Sequence, residues 1–271
     1  DKAFQWCADN HLLLNKDKCY LMTFSRKISN IKFNYSIDNG ILKRPDVIRD
    51  LGVIFDPKLS FGSHIKSIVT SAFRSLGFVI RNGREFNDTE TLKLLYITFV
   101  RSRLEYASVV WSPQYNIHIA ALEKIQRRFL ESLLFFSDNV YPPRGFPQDL
   151  LLNTFKMYSL MSRRKCYSVL FLYKILHGLQ ECPDLLCNIG LKANRISART
   201  KNVFNIITPR TNILIGSPLS QMLRNYTEIE AQIDIFNCTP RIIKQNVFSW
   251  SVGTFCLFLS VFFFLLPLPL I

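Results

Sequence analysis

The spacing of the apolar residues changes once along this chain, near residue 60, and that change limits the folds open to it. Before it, Ile31, Phe33, Tyr35 and Ile37 alternate with Lys32, Asn34 and Ser36, the period-two pattern of a strand with one buried face. Cys19–Phe24 and Leu51–Phe55 are short apolar runs, the second closed by Asp56-Pro57, and Asp38-Asn39-Gly40 supplies a turn. Phe4, Cys7 and Leu12 stand at roughly helical spacing ahead of them. These residues predict an opening helix followed by a small antiparallel sheet.

After residue 60 the period is helical. Ile65, Ile68, Val69, Ala72, Leu76 and Val79 form one stripe; Leu92, Leu95, Tyr96 and Phe99 form a second behind an N-cap at Asn87-Asp88. Ser112-Pro113 interrupts the pattern. Ile117, Ala121, Ile125, Phe129 and Leu133 make a third stripe, Tyr141–Gly145 is a loop, and another helix is expected from about Asn153 to His177. Beyond Pro183 the stretch to Thr239 reads as loops with short helices. The fold class is therefore α+β, predominantly α, with a short N-terminal antiparallel sheet and then a helical bundle. The segments are 1–58, 59–180, 181–246 and an apolar tail at 247–271.

The tail is distinct in composition. Val252–Ile271 holds twenty residues without a charge, rich in Phe and Leu, and twenty helical residues span about 30 Å, the thickness of a membrane core. Pro267 and Pro269 would end such a helix. Two readings stand: a membrane tail anchor, or translated non-coding sequence, which the Phe-Leu-Pro repetition favours. At the other end, Asp1 opens mid-helix-like sequence with no signal-peptide pattern, so a piece of a longer protein is expected.

Charge narrows the partner. The 34 Lys and Arg against 20 Asp and Glu give a net charge of +14, an excess that suits a polyanion better than a small neutral metabolite. No acid occurs between Asp149 and Glu181, a stretch holding Lys156, Arg163, Arg164, Lys165 and Lys174, or between Asp184 and Glu228, which holds Lys192, Arg195, Arg199, Lys201, Arg210 and Arg224. The third helix adds Lys124, Arg127 and Arg128, with Ile125 and Phe129 on another face: an apolar side for a core and a basic side for phosphate. Lys124, Arg127, Arg128, Arg163, Arg164 and Lys165 are the candidate nucleic-acid contacts. Tyr158, Tyr167, Phe171 and Tyr173 interleave with these bases, but at helical spacing they read as core.

Catalytic patterns are missing. There is no Gly-rich phosphate loop and no C-x-x-C, and Cys182 and Cys187 have only His177 near them, too few for a tetrahedral zinc site. His11, His64, His118 and His177 are far apart, and no Asp-Asp pair exists for two-metal phosphoryl transfer. Seven scattered cysteines argue against a disulfide framework. The chain alone reads as no enzyme, with no small-molecule substrate.

An ordered series of short motifs is similar to one family. Trp6-Cys7, Leu14-Asn15, Lys18-Cys19 and Met22–Lys27 are followed by Asp50–Val53, Leu59–Phe61 and Leu76-Gly77-Phe78 with Arg81. Val100–Ser102, Leu104–Ser108, Val110–Pro113 and Ile125–Leu130 continue the series, and Ser217-Pro218 through Phe236 closes it. Over roughly residues 1–236 the chain resembles the region after the catalytic core of LINE-type (non-LTR) retrotransposon reverse transcriptases of the jockey group. The resemblance implies that 1–58 is the end of a polymerase palm, with Lys18 in the fourth palm motif as an auxiliary general acid. It implies that Asp50, Leu51, Gly52 and Val53 are a primer-grip hairpin, and that the helices from Ser60 are a thumb holding a template–primer duplex or RNA–DNA hybrid. The family's Asp-Asp motif lies upstream of residue 1, so catalytic Mg2+ is expected only with that missing part, and this chain alone should be inactive. Alternative expectations are a membrane-anchored interaction protein, resting on 252–271, and the inert product of a decayed element copy.

Overall fold

The computed structural model describes residues 2–12, 14–25, 33–37, 40–86, 88–192, 202–206 and 211–248. Ile31, Asp38-Asn39, Asn87, Arg195, Arg199, Lys201, Arg210 and the apolar tail at 252–271 lie outside the described residues. Among the described residues no helix is long and apolar enough to cross a membrane. The protein is mainly helical, with small antiparallel sheets confined to its N-terminal part.

Two compact units are present, Asp1–Thr70 and the chain from Ser71 onward. The first opens with α1 (Lys2–Asp9) and a 3-10 turn at Lys16–Lys18. Two separate hairpins follow instead of one sheet. β1 (Ser36–Ile37) pairs with β2 (Gly40–Ile41), and β3 (Ile48–Asp50) pairs with β4 (Val53–Phe55) with Asp50 opposite Val53. The run Cys19–Phe24, expected as a strand, makes only an isolated bridge between Tyr20 and Lys43. Side chains replace the ladder there: Arg44 donates to Thr23 Oγ1 at 3.1 Å and to the Phe33 carbonyl.

Leu51 and Gly52 form the two-residue turn of the second hairpin, both at positive φ, 44° and 87°. Such a turn matches the twist of its strands but requires left-handed backbone, which Gly adopts freely and Leu does not. Asp56 then organises the exit. Its carboxylate accepts from the backbone N–H of Lys58, Ser60 and Phe61 at 2.9–3.1 Å and from Ser60 Oγ.

The long helix α2 (Gly62–Asn82) starts in the first unit and ends in the second. The division thus falls inside this helix, whereas the change of apolar period stands near residue 60. His64 shows why: it is 2% exposed, and its Nδ1 accepts from the Ile54 N–H at 3.3 Å. The first turns of α2 are thereby part of the hairpin's packing.

In the second unit, α3 (Thr89–Tyr96) begins at Asp88, whose carboxylate accepts from the N–H groups of Glu90 and Thr91. A π-turn at Ile97–Arg101 leads into α4 (Ser102–Glu105). Ala107 at φ 51° redirects the chain into α5 (Ser108–Trp111), where buried Trp111 donates to the Tyr106 carbonyl at 2.8 Å. α6 (Asn116–Asp138) buries Leu122, Ile125, Phe129, Leu130 and Leu133. It packs on α3, with the Tyr96 and Phe129 rings stacked 4.1 Å apart.

The single helix expected from Asn153 to His177 is two, α7 (Gln148–Thr154) and α8 (Leu160–Leu176). Lys156 at φ 52° breaks it. Its N–H donates to the Asn153 carbonyl and the Met157 N–H to that of Leu152 at 2.8 Å, a paired C-terminal cap. Ser159 then caps α8 through the Ser162 N–H. Downstream come α9 (Pro183–Cys187), α10 (Asn212–Gly216), α11 (Pro218–Thr227) and a final helix, α12, over 240–248. α11 packs extensively on α8, and Cys166, Val169, Leu172, Phe204, Met222, Tyr226, Ile235 and Ile243 share one core. Residues of the 181–246 stretch thus contribute to the same core as α8. Tyr226 fixes them further, donating to the Ile233 carbonyl at 3.0 Å and accepting from the Ile235 N–H. The six described cysteines are free thiols.

Candidate nucleic-acid interface

Within the second unit, α2 and α6 border a groove of about 540 Å3. From α2 it takes Phe73, Gly77, Ile80 and Arg81; from α6 it takes Lys124, Arg127, Arg128 and Glu131. The helical period produces this division. α2 turns Ala72, Leu76 and Val79 inward, and α6 turns Leu122, Ile125 and Phe129 inward, so the intervening basic residues face the opposite way. The Arg81 guanidinium lies over Gly77, where a Cβ would stand in ordinary contact, 3.4 Å from Arg81 Nη1.

The cations of the groove are not equivalent. Arg127 is held: its Nε donates to Glu131 Oε1 at 2.9 Å and its Nη2 to the Phe146 carbonyl at 3.0 Å. Arg128 is 4.0 Å from Glu131 with a side chain 61% exposed. Lys124 and Arg81 are exposed and have no carboxylate partner among the described residues. Four cations thus face one carboxylate, Glu131, over an apolar floor; among the described residues Arg81 and Lys124 have no carboxylate partner, and Arg128 has only the 4.0 Å approach to Glu131. Phe78, 53% exposed, sets its ring edge-on to Phe99 outside the groove.

The other predicted contacts are placed differently. Arg163, Arg164 and Lys165 begin α8, and each has a carboxylate partner distant in sequence. Arg163 grips Glu105 through Nε and, at 3.0 Å, through Nη2. Glu105 also accepts from the Tyr167 hydroxyl at 3.2 Å and stands 3.8 Å from Arg101. Burial works against the Arg163 charge, but the hydrogen bonds and charge of Glu105 prevail and hold its pKa above the usual arginine value. Arg164 is buried, 3.9 Å from Glu123. Lys165 pairs with Glu228 at 2.6 Å. Of the six, Lys124, Arg127 and Arg128 meet at the groove, while Arg164 and Lys165 lie at a second cavity. Of the interleaved aromatics, Tyr173 is buried, Tyr167 and Phe171 are half-buried, and Tyr158 stacks on Phe248 at 4.0 Å.

Lys18 and Asp50–Val53 belong to the first unit. Lys18 is exposed at the end of a turn organised by Asn15, whose carbonyl accepts from the Lys18 N–H at 3.1 Å. Leu51, at the hairpin tip, is 84% exposed. Among the described residues no three His, Cys, Asp or Glu side chains gather to hold a metal ion.

Sequence reading reaches Arg81 only through the family motif Leu76-Gly77-Phe78 with Arg81, and it misses Glu105 and Glu123 as anchors. Comparison with protein-family models, with curated proteins and with solved structures finds no match.

Proposed function

We propose that this chain is the palm-end and thumb portion of a LINE-type reverse transcriptase, and that the groove between α2 and α6 holds the sugar–phosphate backbone of a template–primer duplex. The groove carries the reading: Arg81 and Lys124, without a carboxylate partner among the described residues, and Arg128, exposed and 4.0 Å from Glu131, rim an apolar floor with one carboxylate between them. Side chains at i and i+4, as Lys124 and Arg128 are, stand about 6 Å apart on one helix face, a spacing that serves neighbouring phosphates. Such contacts position a duplex without reading its sequence. The exposed, left-handed Leu51 at the tip of the second hairpin is the feature of the first unit that suits the primer-grip role the motif series suggests.

The test is fluorescence anisotropy of the chain with an RNA–DNA hybrid over a salt series. The expected result is affinity that falls linearly on a log–log plot, with the slope made shallower by about 2 in the Lys124→Ala, Arg128→Ala double variant. A flat salt dependence, or an unchanged slope in the double variant, overturns the reading.

A further inference from the structure

The second unit contains another cavity, of about 330 Å3, that shares no residue with the groove. Its walls come from the Ser112–Pro113 corner, the first turns of α8, and the α10–α11 region. Three cations line it, Arg164, Lys165 and Arg224, against the single carboxylate of Glu228. Lys165 and Glu228 pair with each other at 2.6 Å, which leaves two arginines.

Arg164 is 5% exposed, and its Nη1 and Nη2 are both buried without a hydrogen-bond partner among the described residues. Its countercharge does not meet that need. Glu123 Oε1 is 3.9 Å away, beyond hydrogen-bond reach. The Glu123 oxygens already accept from the N–H groups of Met161 at 2.7 Å and Leu160 at 3.4 Å, and from Gln148 Nε2 at 3.3 Å. Arg224 is fixed by backbone carbonyls, its Nε donating to Ser220 at 3.1 Å and its Nη2 to Ile215. It has no carboxylate partner among the described residues. A guanidinium carries five donors in a planar fork matched to phosphate oxygens, and buried donors left without acceptors are unfavourable.

The neutral lining favours hydroxyl groups beside the anion. Gln221 turns its amide nitrogen to the carbonyls of Ser112 and Gly216, and Asn225 turns its own to Ser168 Oγ. Each keeps a carbonyl oxygen as an acceptor, and the volume exceeds that of a bare phosphate.

We propose that this cavity binds a phosphate monoester with a hydroxyl-bearing body, its phosphate drawn by the surplus positive charge of the lining, with the buried Arg164 charge behind the wall, and its oxygens taking the hydrogen bonds that Arg224 still has to give. The site is independent of the groove, and its ligand is either a small sugar phosphate or the phosphorylated end of a nucleic acid.

Thermal denaturation and titration calorimetry of the full chain with ribose 5-phosphate, ribose and inorganic phosphate test the proposal, alongside short oligonucleotides with a 5′-phosphate or a 5′-hydroxyl. Ribose 5-phosphate is expected to give a saturable stabilisation that ribose does not. That response should weaken at least about tenfold in Arg224→Gln and in Arg164→Met, which removes the buried charge, and persist unchanged in the Lys124→Ala, Arg128→Ala groove variant. Arg224→Gln lies on the cavity wall and keeps the result interpretable if the Arg164 variant fails to fold. Stronger binding of the 5′-phosphorylated oligonucleotide, lost in Arg224→Gln, supports the proposal with a nucleic-acid end as the source. Equal binding of the two oligonucleotides, with ribose 5-phosphate still bound, supports it with a small molecule as the source. No saturable response to any phosphate compound, or a response equal in wild type and Arg224→Gln, overturns it.

Discussion

Single residues in this protein carry both its strongest anchors and its clearest local conflicts. Tyr96 is fully buried and stacked on Phe129, yet its hydroxyl has no hydrogen-bond partner among the described residues, and burial pushes the phenol well above its ordinary pKa. Removing that hydroxyl keeps the ring contact and ends the unmet polar group. Tyr96→Phe is therefore expected to stabilise the protein by about 1 kcal/mol, seen as a melting temperature higher by about 2–4 °C. Arg163 is the opposite case. It and Glu105 have side chains 15% and 12% exposed, so truncating the arginine leaves a carboxylate poorly solvated. Arg163→Ala is expected to lose about 3 kcal/mol in urea unfolding. An effect within 0.5 kcal/mol, the range of an ordinary surface change, would show the pair to be dispensable.

At the scale of elements, the ends of helices separate what the sequence displays from what it conceals. α8 ends in a paired cap with Gly178 at φ 65°, where the Leu179 N–H reaches the Lys174 carbonyl at 2.8 Å. Glycine is the residue that reading a sequence looks for there, and the end at His177 is legible. α7 ends in the same cap, but with Lys156 in the left-handed position, and nothing in a lysine announces it. Lys156→Gly is expected to stabilise the protein by about 1 kcal/mol in chemical denaturation, with the fold unchanged. The loop into α2 offers a pH test. Asp56 is partly desolvated, which raises its pKa, but four hydrogen bonds from Lys58, Ser60 and Phe61 together hold it below the ordinary value of 3.8. Its folded pKa is lower than its unfolded one, so its contribution is full above pH ~4 and fades as pH falls through the folded value. The protection of the Ser60 and Phe61 amides, their exchange rate relative to the intrinsic rate at each pH, should fall on acidification below that point. Asp56→Asn should remove this pH dependence and cost about 1 kcal/mol at neutral pH.

For the whole molecule, the issue is which cations of a chain with net charge +14 remain available to a polyanion. Lys165 has the charge of Lys124 but is engaged by Glu228. Lys165→Ala should leave the salt slope of duplex binding unchanged, whereas Lys124→Ala should lower it by about 1, both read from anisotropy titrations. The sequence by itself determined the α+β class, the helical period after residue 60, the stripes that fill α2, α3 and α6, except for the exposed Phe99 and Ile117, and the Asp88 cap. These follow from interactions between residues a few positions apart, so they are written locally. The sequence also placed basic residues on the outer face of α6. Tertiary structure alone decided that Arg163 and Lys165 meet carboxylates 58 and 63 residues away, and that Arg164 lies buried with donors unmet. It likewise decided that Arg81 of α2 joins Lys124 and Arg128 at one groove. An acid-free stretch of chain is not an acid-free surface, because burial and charge pairing depend on which segments pack together, and no local pattern encodes that.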